Sequence, residues 1–176
     1  MTNPREPERR HVVAVRNCMS SRGDPSVPDH QRRLPIRGRN ALSQLGDHNW
    51  CFDPRHDVVM SPSSRRTRAT PYGISPALDR TVRVEPNPAL FSAGAEQPVT
   101  ESRRIDDQIA VAFIAAPNPG VADLVDLLAV AQAIGAPVID TSPTVAVAVP
   151  PVAGRWTALQ PAGATLKCVR APRQLR

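Results

Sequence analysis

The feature that most limits the fold of this chain is one strand-helix-strand pattern in residues 108–149. It opens with a continuous apolar run at residues 109–116, IAVAFIAA, which lacks the alternating polar side chains of a half-exposed strand. A run of this kind is typical of a strand that is covered on both faces in a parallel sheet. Residues 109–116 are therefore predicted to form a central strand.

A helix is predicted directly after this strand. Asn118 can act as the N-cap, Pro119 suits the first helical position, and Asp123 places negative charge near the positive end of the helix dipole. Gly135 offers a C-terminal cap, and Pro137 prevents the helix from continuing. The start and the end of the helix are thus both marked in the sequence.

Two further strands are predicted, at residues 137–140 and 144–149. A strand, a helix and a strand in about 30 residues make the smallest βαβ unit, which normally connects parallel strands. The predicted fold class is an α/β fragment with one βαβ unit of parallel strands in the C-terminal half. One helix covers only one face of such strands, so another element or another protein chain is expected on the exposed sheet face.

Residues 1–104 show no comparable pattern. Strands of four or five residues could form at residues 12–15, 57–60 and 81–85, but ten prolines between residues 25 and 98 exclude a long helix. This N-terminal part of about 100 residues is predicted to be mostly irregular or disordered. We therefore expect three parts: an Arg/Pro-rich segment (1–104), the strand-helix-strand unit (105–150) and a basic tail (151–176).

The charge of the chain is unevenly distributed. Residues 1–104 hold 17 arginines and 11 acidic residues, residues 105–154 hold five acidic residues and no base, and residues 155–176 hold five bases and no acid. Basic arms attract polyanions by counterion release, so charge alone permits nucleic acid as a partner. Abundant Arg, Pro, Ala and Val are also what a high-G+C coding sequence gives. The candidate nucleic-acid contacts are Arg32, Arg33, Arg37, Arg39, Arg65, Arg66 and Arg68.

The cysteines and the apolar runs indicate a cytoplasmic protein. The three cysteines are odd in number and widely spaced, which favours reduced thiols over a disulfide framework. The apolar stretch near the N-terminus is too short for a signal peptide, and no apolar run approaches the roughly 18 to 20 residues that span a bilayer. No membrane contact is expected.

A family resemblance rests on residues 120–129, GVADLVDLLA, and residues 134–141, IGAPVIDT. Together they resemble the central domain of thiamine-diphosphate-dependent enzymes of the acetolactate synthase type. In that family a strand, a helix and a Leu-Gly-Ala-Pro-Val-like turn into the next strand occur in this order. The resemblance covers about a fifth of the chain.

The same resemblance implies thiamine diphosphate and magnesium as the cofactors of the family, but the motifs that bind them are absent. We find neither the glutamate that activates the thiazolium ring nor the Gly-Asp-Gly motif that holds magnesium and diphosphate. A central domain alone is mainly structural. The resemblance therefore implies a partial α/β domain that is not an enzyme on its own.

One candidate ligand site is the turn at residues 117–120. It lies where a doubly wound fold can bind an anion at a helix N-terminus, and Asn118 and Gly120 are its candidate cofactor-binding residues. However, Pro117 and Pro119 lack the backbone N–H groups that such a site uses, and no Gly-rich phosphate motif is present. A capped structural turn is the favoured interpretation.

A second cluster, in residues 48–57, contains metal-binding side chains. His48, Cys51 and His56 are weak metal candidates, because their spacing matches no established zinc pattern. Activation of Cys51 by a histidine would also require an oriented base and an oxyanion site, for which this segment shows no rigid frame. A polar loop is favoured, and no catalytic residue and no metal site are predicted.

Two functional hypotheses follow from these patterns. The first is a non-catalytic partial α/β domain related to the central domain of thiamine-diphosphate-dependent enzymes. The alternative is a basic, largely disordered protein that binds nucleic acid or other partners. A third interpretation, in which much of residues 1–104 is not a selected sequence, stays open from the sequence alone.

Overall fold

The fold is described here from a computed structural model of the chain. It describes residues 10–18, 26–28, 31–47, 58–61, 69–70, 73, 83–87, 96–128, 144–149 and 155–171. Their strands are β1 (His11–Arg16), β2 (Val58–Ser61), β3 (Arg83–Pro86), β4 (Val111–Ala116), β5 (Thr144–Val149) and β6 (Thr165–Arg170). Their α-helices are α1 (Ile36–Asp47), α2 (Glu96–Ser102) and α3 (Gly120–Leu128), and a 3-10 turn spans Trp156–Ala158.

The six strands form one sheet in the order β3-β2-β4-β1-β5-β6. β4 runs parallel to both of its neighbours, β1 and β2, and β2 is also parallel to β3. β5 is antiparallel to β1, and β6 is antiparallel to β5. The sheet is thus parallel on one side and carries an antiparallel pair on the other, a common arrangement in α/β proteins.

The two central strands, β1 and β4, are buried on both faces. On β1, Val12 and Ala14 belong to the apolar core beneath α3, whereas Val13 and Val15 belong to the core beneath α1. All six residues of β4 are buried. These strands therefore form the middle layer of a three-layer α/β arrangement, with helices on both sides.

The helices lie on opposite faces of the sheet. Leu42 and Leu45 of α1 pack into one core, with Phe113 of β4. Val99 of α2 and Leu124 of α3 pack into the other core. The helix that follows β1 and the helix that follows β4 therefore leave the sheet on opposite sides, although the two strands are neighbours.

The amino end of the sheet is closed by Trp156 and Arg10. The Trp156 indole N–H donates to the carbonyl of Ile109 at 2.9 Å, and its backbone N–H donates to a carboxylate oxygen of Asp107 at 2.8 Å. The Arg10 guanidinium lies 5.7 Å from the centre of the Trp156 ring and also donates to the carbonyl of Asp107 at 2.6 Å. These contacts join the segments that precede β1 and β4 to the segment that precedes β6.

The structure confirms the α/β class but corrects the predicted βαβ unit. β4 and α3 are present where a central strand and a helix were predicted. β5 also lies at residues 144–149, but it is antiparallel to β1 while β4 is parallel to it, so β4 and β5 are not parallel. The local pattern marks the strands but does not fix their direction. The strand predicted at residues 137–140 lies outside the described residues.

The prediction of a disordered N-terminal part is wrong. β1, β2, β3, α1 and α2 all lie within residues 1–104, and β1 is a central strand of the sheet. The three short candidate strands are confirmed, with bounds shifted by one or two residues. Their partners are distant in sequence, since β1 pairs with β4 about a hundred positions later, and a local pattern cannot show such pairing.

Two further expectations bear on the surroundings of the sheet. Elements of this same chain cover both faces of β1 and β4, so the reason for expecting another protein chain on an exposed face no longer holds. Cys168 is disulfide-bonded, which departs from the expectation of reduced thiols. No helix among the described residues is long and apolar enough to cross a membrane.

Candidate functional site

The candidate site lies at the carboxyl ends of β1 and β4. These neighbouring strands are parallel, and the helices that follow them pass to opposite faces of the sheet. In open α/β sheets, such a switch point leaves a crevice outside the strand ends where ligands bind. We call this edge the β1/β4 edge. Its strand ends are Arg16 and Ala116, and it continues through residues 17–18 and 117–118.

Arg16 is the charged residue at this edge. It is half-buried and pairs in register with Ala116, whose side chain is only a methyl group. Side chains alternate along a strand, so Arg16 lies on the face of Val12 and Ala14, which α3 covers. The next backbone N–H, that of Asn17, donates to the carbonyl of Ala116 at 3.1 Å and extends the pairing beyond the strand. Strand pairing therefore fixes the backbone of Arg16 at the switch point.

A second arginine lies at the end of another strand on the same edge of the sheet. β6 runs in the same direction as β1, because both are antiparallel to β5, and Arg170 is the last residue of β6. Arg170 is exposed and lies two strands from Arg16, a separation of roughly 10 Å at ordinary strand spacing. Two guanidinium groups thus give this edge a positive charge.

The N-terminus of α3 also faces the β1/β4 edge. The N–H groups of Val121 and Asp123 donate within the first turn, to the carbonyls of Pro117 and Pro119 at 3.3 and 3.0 Å. The positive end of the helix dipole lies at this terminus, although Asp123 opposes it in part. Asn118 and Gly120 lie two and four residues after Ala116, the strand partner of Arg16, and their assignment to an anion stays a prediction.

The other flank of the edge is fixed by a hydrogen-bond network around Glu101. Asn87, directly after β3, donates its backbone N–H to the carbonyl of Ser61 at the end of β2 at 2.8 Å. The Asn87 amide donates to Glu101 at 2.8 Å, and Gln97 and Arg104 donate to the other carboxylate oxygen at 3.1 and 2.8 Å. Glu101 is buried and satisfied, so this network is structural rather than a free acid or base.

Comparisons with known proteins identify the fold. No protein-family model and no curated protein sequence matches the chain. Among solved structures, a protein assigned as the phosphohistidine phosphatase SixA from Nakamurella multipartitia matches with a TM-score of 0.73 and 21% identity, over 93% of this chain and 96% of that one. SixA in complex with tungstate matches with a TM-score of 0.72 and 16% identity, over 94% and 99%. A protein assigned as SixA from Agrobacterium tumefaciens matches with a TM-score of 0.67 and 17% identity, over 95% and 99%.

This chain has the SixA fold. The match spans nearly the whole chain, so the resemblance to thiamine-diphosphate-dependent enzymes is wrong. That resemblance rested on a helix followed by a Gly-Ala-Pro turn, which many α/β sheets use for the same capping reasons. The interpretations as a non-catalytic fragment of such an enzyme and as a disordered nucleic-acid-binding protein are also wrong, because the SixA fold includes the N-terminal strands.

Cys18, the second residue after Arg16, cannot act as a thiolate in this environment. It is 2% exposed, and its Sγ lies 3.6 Å from the carbonyl of Gly38, to which the thiol donates. Burial raises the pKa of the Cys18 thiol from 9.0 to about 12. The thiol is therefore neutral at physiological pH, and a neutral thiol is a poor nucleophile.

Histidine is represented in the described part of the chain by His11 alone. His11 is the first residue of β1 and pairs with Val111, so it lies at the amino edge of the sheet. Five residue steps along a strand put it roughly 17 Å from Arg16. His11 therefore cannot reach a ligand at the β1/β4 edge.

The remaining residues singled out from the sequence fall into a group outside the described stretches and a group within them. His48, Cys51, His56, Arg65, Arg66 and Arg68 lie outside the described residues, and the described stretches contain no cluster of metal-binding side chains. Arg32 donates to the carbonyl of Val27 and Arg39 to that of Leu34, both at 2.9 Å. Arg33 and Arg37 are exposed on the loop before α1 and on its first turn.

Sequence reasoning missed Arg16 and Arg170 as site residues. Arg16 follows directly after the apolar run of residues 12–15, the position where a buried strand commonly presents a polar residue to a ligand. That signal is usable only once residues 12–15 are known to be a central strand. Arg170 carries no such signal, because its place at the edge depends on the direction of β5 and β6.

Proposed function

We propose that this protein binds phosphorylated compounds at the β1/β4 edge and acts on them as a phosphatase. The observation that carries the proposal is the position of Arg16, a half-buried arginine at the switch point of a sheet with the SixA fold. The SixA structure that contains tungstate supports it, since tungstate is a tetrahedral oxyanion like phosphate.

The electrostatics of the edge suit a phosphoryl group. Such a group carries a charge of about −1.5 to −2 at neutral pH and offers three acceptor oxygens. A guanidinium can donate two parallel hydrogen bonds to it, a stronger and more directional contact than a single neutral hydrogen bond. In the proposed arrangement Arg16 makes this contact, while Arg170 and the α3 N-terminus add longer-range attraction.

A second candidate function is binding of a phosphoryl group without hydrolysis. Asn17 carries an amide, which is not a nucleophile, and the buried thiol of Cys18 stays neutral. The described residues of this edge include neither a histidine nor a thiolate. Hydrolysis therefore depends on a nucleophile or base from outside the described stretches, or on a water activated by another group.

Release of inorganic phosphate tests the proposal. The substrates are p-nitrophenyl phosphate and a histidine-phosphorylated peptide, and the proteins compared are the wild type, R16Q and R155Q. Arg155 is the control because it is exposed next to Trp156 at the opposite edge of the sheet, and the change removes the same charge. We expect R16Q to lower kcat/KM roughly 100-fold or more, as removal of a key oxyanion donor commonly does, and R155Q to leave it unchanged.

The outcomes separate the two candidate functions. Hydrolysis that is lost in R16Q and retained in R155Q supports a phosphatase. Binding of phosphate without turnover of either substrate supports the second candidate. Hydrolysis by R16Q at the wild-type rate would place the reaction elsewhere and reject the β1/β4 edge as the site.

A further inference from the structure

A cavity lies beside α1. Its volume is about 280 Å³, and its described lining consists of Arg33, Leu34, Arg39, Leu42, Ala69 and Gly73. Leu34 and Leu42 belong to the core beneath α1, and Ala69 packs against that core. The floor of this cavity, which we call the α1 cavity, is thus apolar.

The charge at the α1 cavity is positive. Arg33 and Arg39 are exposed side chains of the lining, and no acidic residue occurs among its described members. The guanidinium of Arg39 is held near the cavity by its hydrogen bond to the carbonyl of Leu34 at 2.9 Å. An apolar floor with a cationic rim suits a ligand that has an apolar body and a negatively charged group.

Cys18 connects the α1 cavity to the candidate phosphoryl site. It lies two residues after Arg16, and its thiol contacts the carbonyl of Gly38, the residue before Arg39. Cys18 also belongs to the same core as Leu34 and Leu42. The end of α1 that carries Arg39 therefore lies next to the carboxyl end of β1 on the α1 face of the sheet. Because Arg16 lies on the α3 face, a ligand that occupies the cavity and reaches Arg16 must extend over the end of β1.

Gly73 sets the position of the apolar floor. A Cβ added at Gly73 would lie 2.6 Å from Cδ1 and 3.0 Å from Cβ of Leu42, so a larger residue there would force Leu42 to move. A side chain at residue 73 therefore fits only if Leu42 shifts. Substitution by alanine is expected to change the shape of the cavity without touching any charged group.

We propose that the α1 cavity holds the apolar part of a small organic phosphate ester whose phosphoryl group lies at Arg16. This inference rests on the proposed function, and it names the substrate class: a small phosphate monoester with an aromatic or branched aliphatic group. Apolar burial in the cavity strengthens binding of such an ester relative to inorganic phosphate, while Arg33 and Arg39 attract its negative charge.

Calorimetric titration with 1-naphthyl phosphate and with inorganic phosphate tests this substrate class. Burial of about 60 Å² or more of the naphthyl group corresponds to roughly tenfold tighter binding of 1-naphthyl phosphate. The R33Q/R39Q variant should bind 1-naphthyl phosphate between about two- and thirtyfold more weakly, given the usual strength of exposed charge pairs. G73A should bind 1-naphthyl phosphate with a smaller gain in affinity over inorganic phosphate than the wild type shows. The matched control R37Q/R155Q removes the same charge away from the described cavity lining and should bind like the wild type.

Each result distinguishes the cavity from the phosphoryl site. If inorganic phosphate binds but 1-naphthyl phosphate binds no more tightly, the cavity proposal is overturned and the proposed function stands. If 1-naphthyl phosphate binds equally well to R16Q and wild type, the link between the cavity and Arg16 is wrong. If R37Q/R155Q weakens binding as much as R33Q/R39Q does, only general charge attraction is involved. Binding of neither compound would reject the proposed function together with the cavity.

Discussion

At the scale of single residues, Cys18 shows how burial next to the site controls chemistry. Its pKa is raised from 9.0 to about 12 because desolvation disfavours the thiolate. The contribution of Cys18 to folding stability is fully present below pH 9. It is lost as pH rises from 9 towards 12, because in this range the Cys18 thiol loses its proton in the unfolded chain but keeps it in the folded protein. Because burial keeps the Cys18 thiol neutral, it also makes this thiol unreactive.

The pH dependence of unfolding tests this effect through C18A. Between pH 8 and pH 11, the wild type should lose about 2 to 3 kcal/mol more of its free energy of unfolding than C18A does. Denaturant titrations at both pH values provide the measurement. Comparing the loss of unfolding free energy in the two proteins removes the contributions of other titrating groups. Cys168 is disulfide-bonded and does not titrate. Equal losses in the two proteins would show that Cys18 is not buried as described.

At the scale of elements, the end of α2 fixes the carboxyl ends of β2 and β3. Glu101 accepts hydrogen bonds from Asn87, Gln97 and Arg104, and it is only 9% exposed. Asn87 in turn donates its backbone N–H to Ser61. The flank of the candidate site therefore depends on one buried carboxylate that joins a helix to two strands.

The E101Q variant tests the role of this carboxylate. Glutamine replaces one carboxylate oxygen of residue 101 with an NH₂ group, which cannot accept a hydrogen bond from the neighbouring N–H donors. We therefore expect the free energy of unfolding to fall by about 1 to 3 kcal/mol. E96Q is the control on the same helix, since Glu96 is exposed, and it should change stability by less than about 0.5 kcal/mol. The same loss in both variants would indicate that the network around Glu101 contributes nothing specific.

At the scale of the whole molecule, the sheet joins parts of the chain that are far apart in sequence. Strand β4 has β1 and β2 as its neighbours, and β5 pairs with β1 on its inner side. The segment that looks most structured in sequence, residues 108–149, thus owes its pairing to residues 11–16 and 58–61. Its strands β4 and β5 belong to the same sheet as β1 and β2.

A fragment of residues 105–176 tests this dependence. It retains β4, α3, β5 and β6 but lacks both neighbours of β4, so its buried strand would have no partner on either side. We predict that the fragment shows no cooperative unfolding transition and no dispersed amide resonances by NMR, while the full chain shows both. A cooperatively folded fragment would mean that the C-terminal part is an independent domain.

Features marked by local sequence signals were predicted correctly, whereas features that depend on distant segments were not. The strand at residues 111–116 and the start of α3 were predictable, because a continuous apolar run, a proline and one first-turn acidic residue act locally. The helix α1 was missed, since it follows Pro35 in an Arg-rich segment and buries few large side chains, among them Leu42 and Leu45. Its stability comes from the sheet beneath it, which a local pattern does not reveal.

The candidate site was less predictable than the fold for the same reason. Asn118 and Gly120 were proposed because the turn before a helix has a local signature, and their role in a site stays a prediction. Arg16 gains its significance only from the pairing of β1 with β4 and from the helices that leave on opposite faces. The charge of the site is thus a property of the assembled sheet rather than of any one segment.

The central claim is that Arg16 at the β1/β4 edge binds a phosphoryl group, and calorimetric titration with tungstate tests it most directly. Tungstate mimics phosphate and requires no turnover, so the result does not depend on whether the protein hydrolyses its ligand. We predict one binding site in the wild type, at least tenfold weaker binding by R16Q because a charge-assisted contact is lost, and wild-type affinity in R155Q. Absence of tungstate binding by the wild type, or equal affinity in R16Q, would contradict the claim.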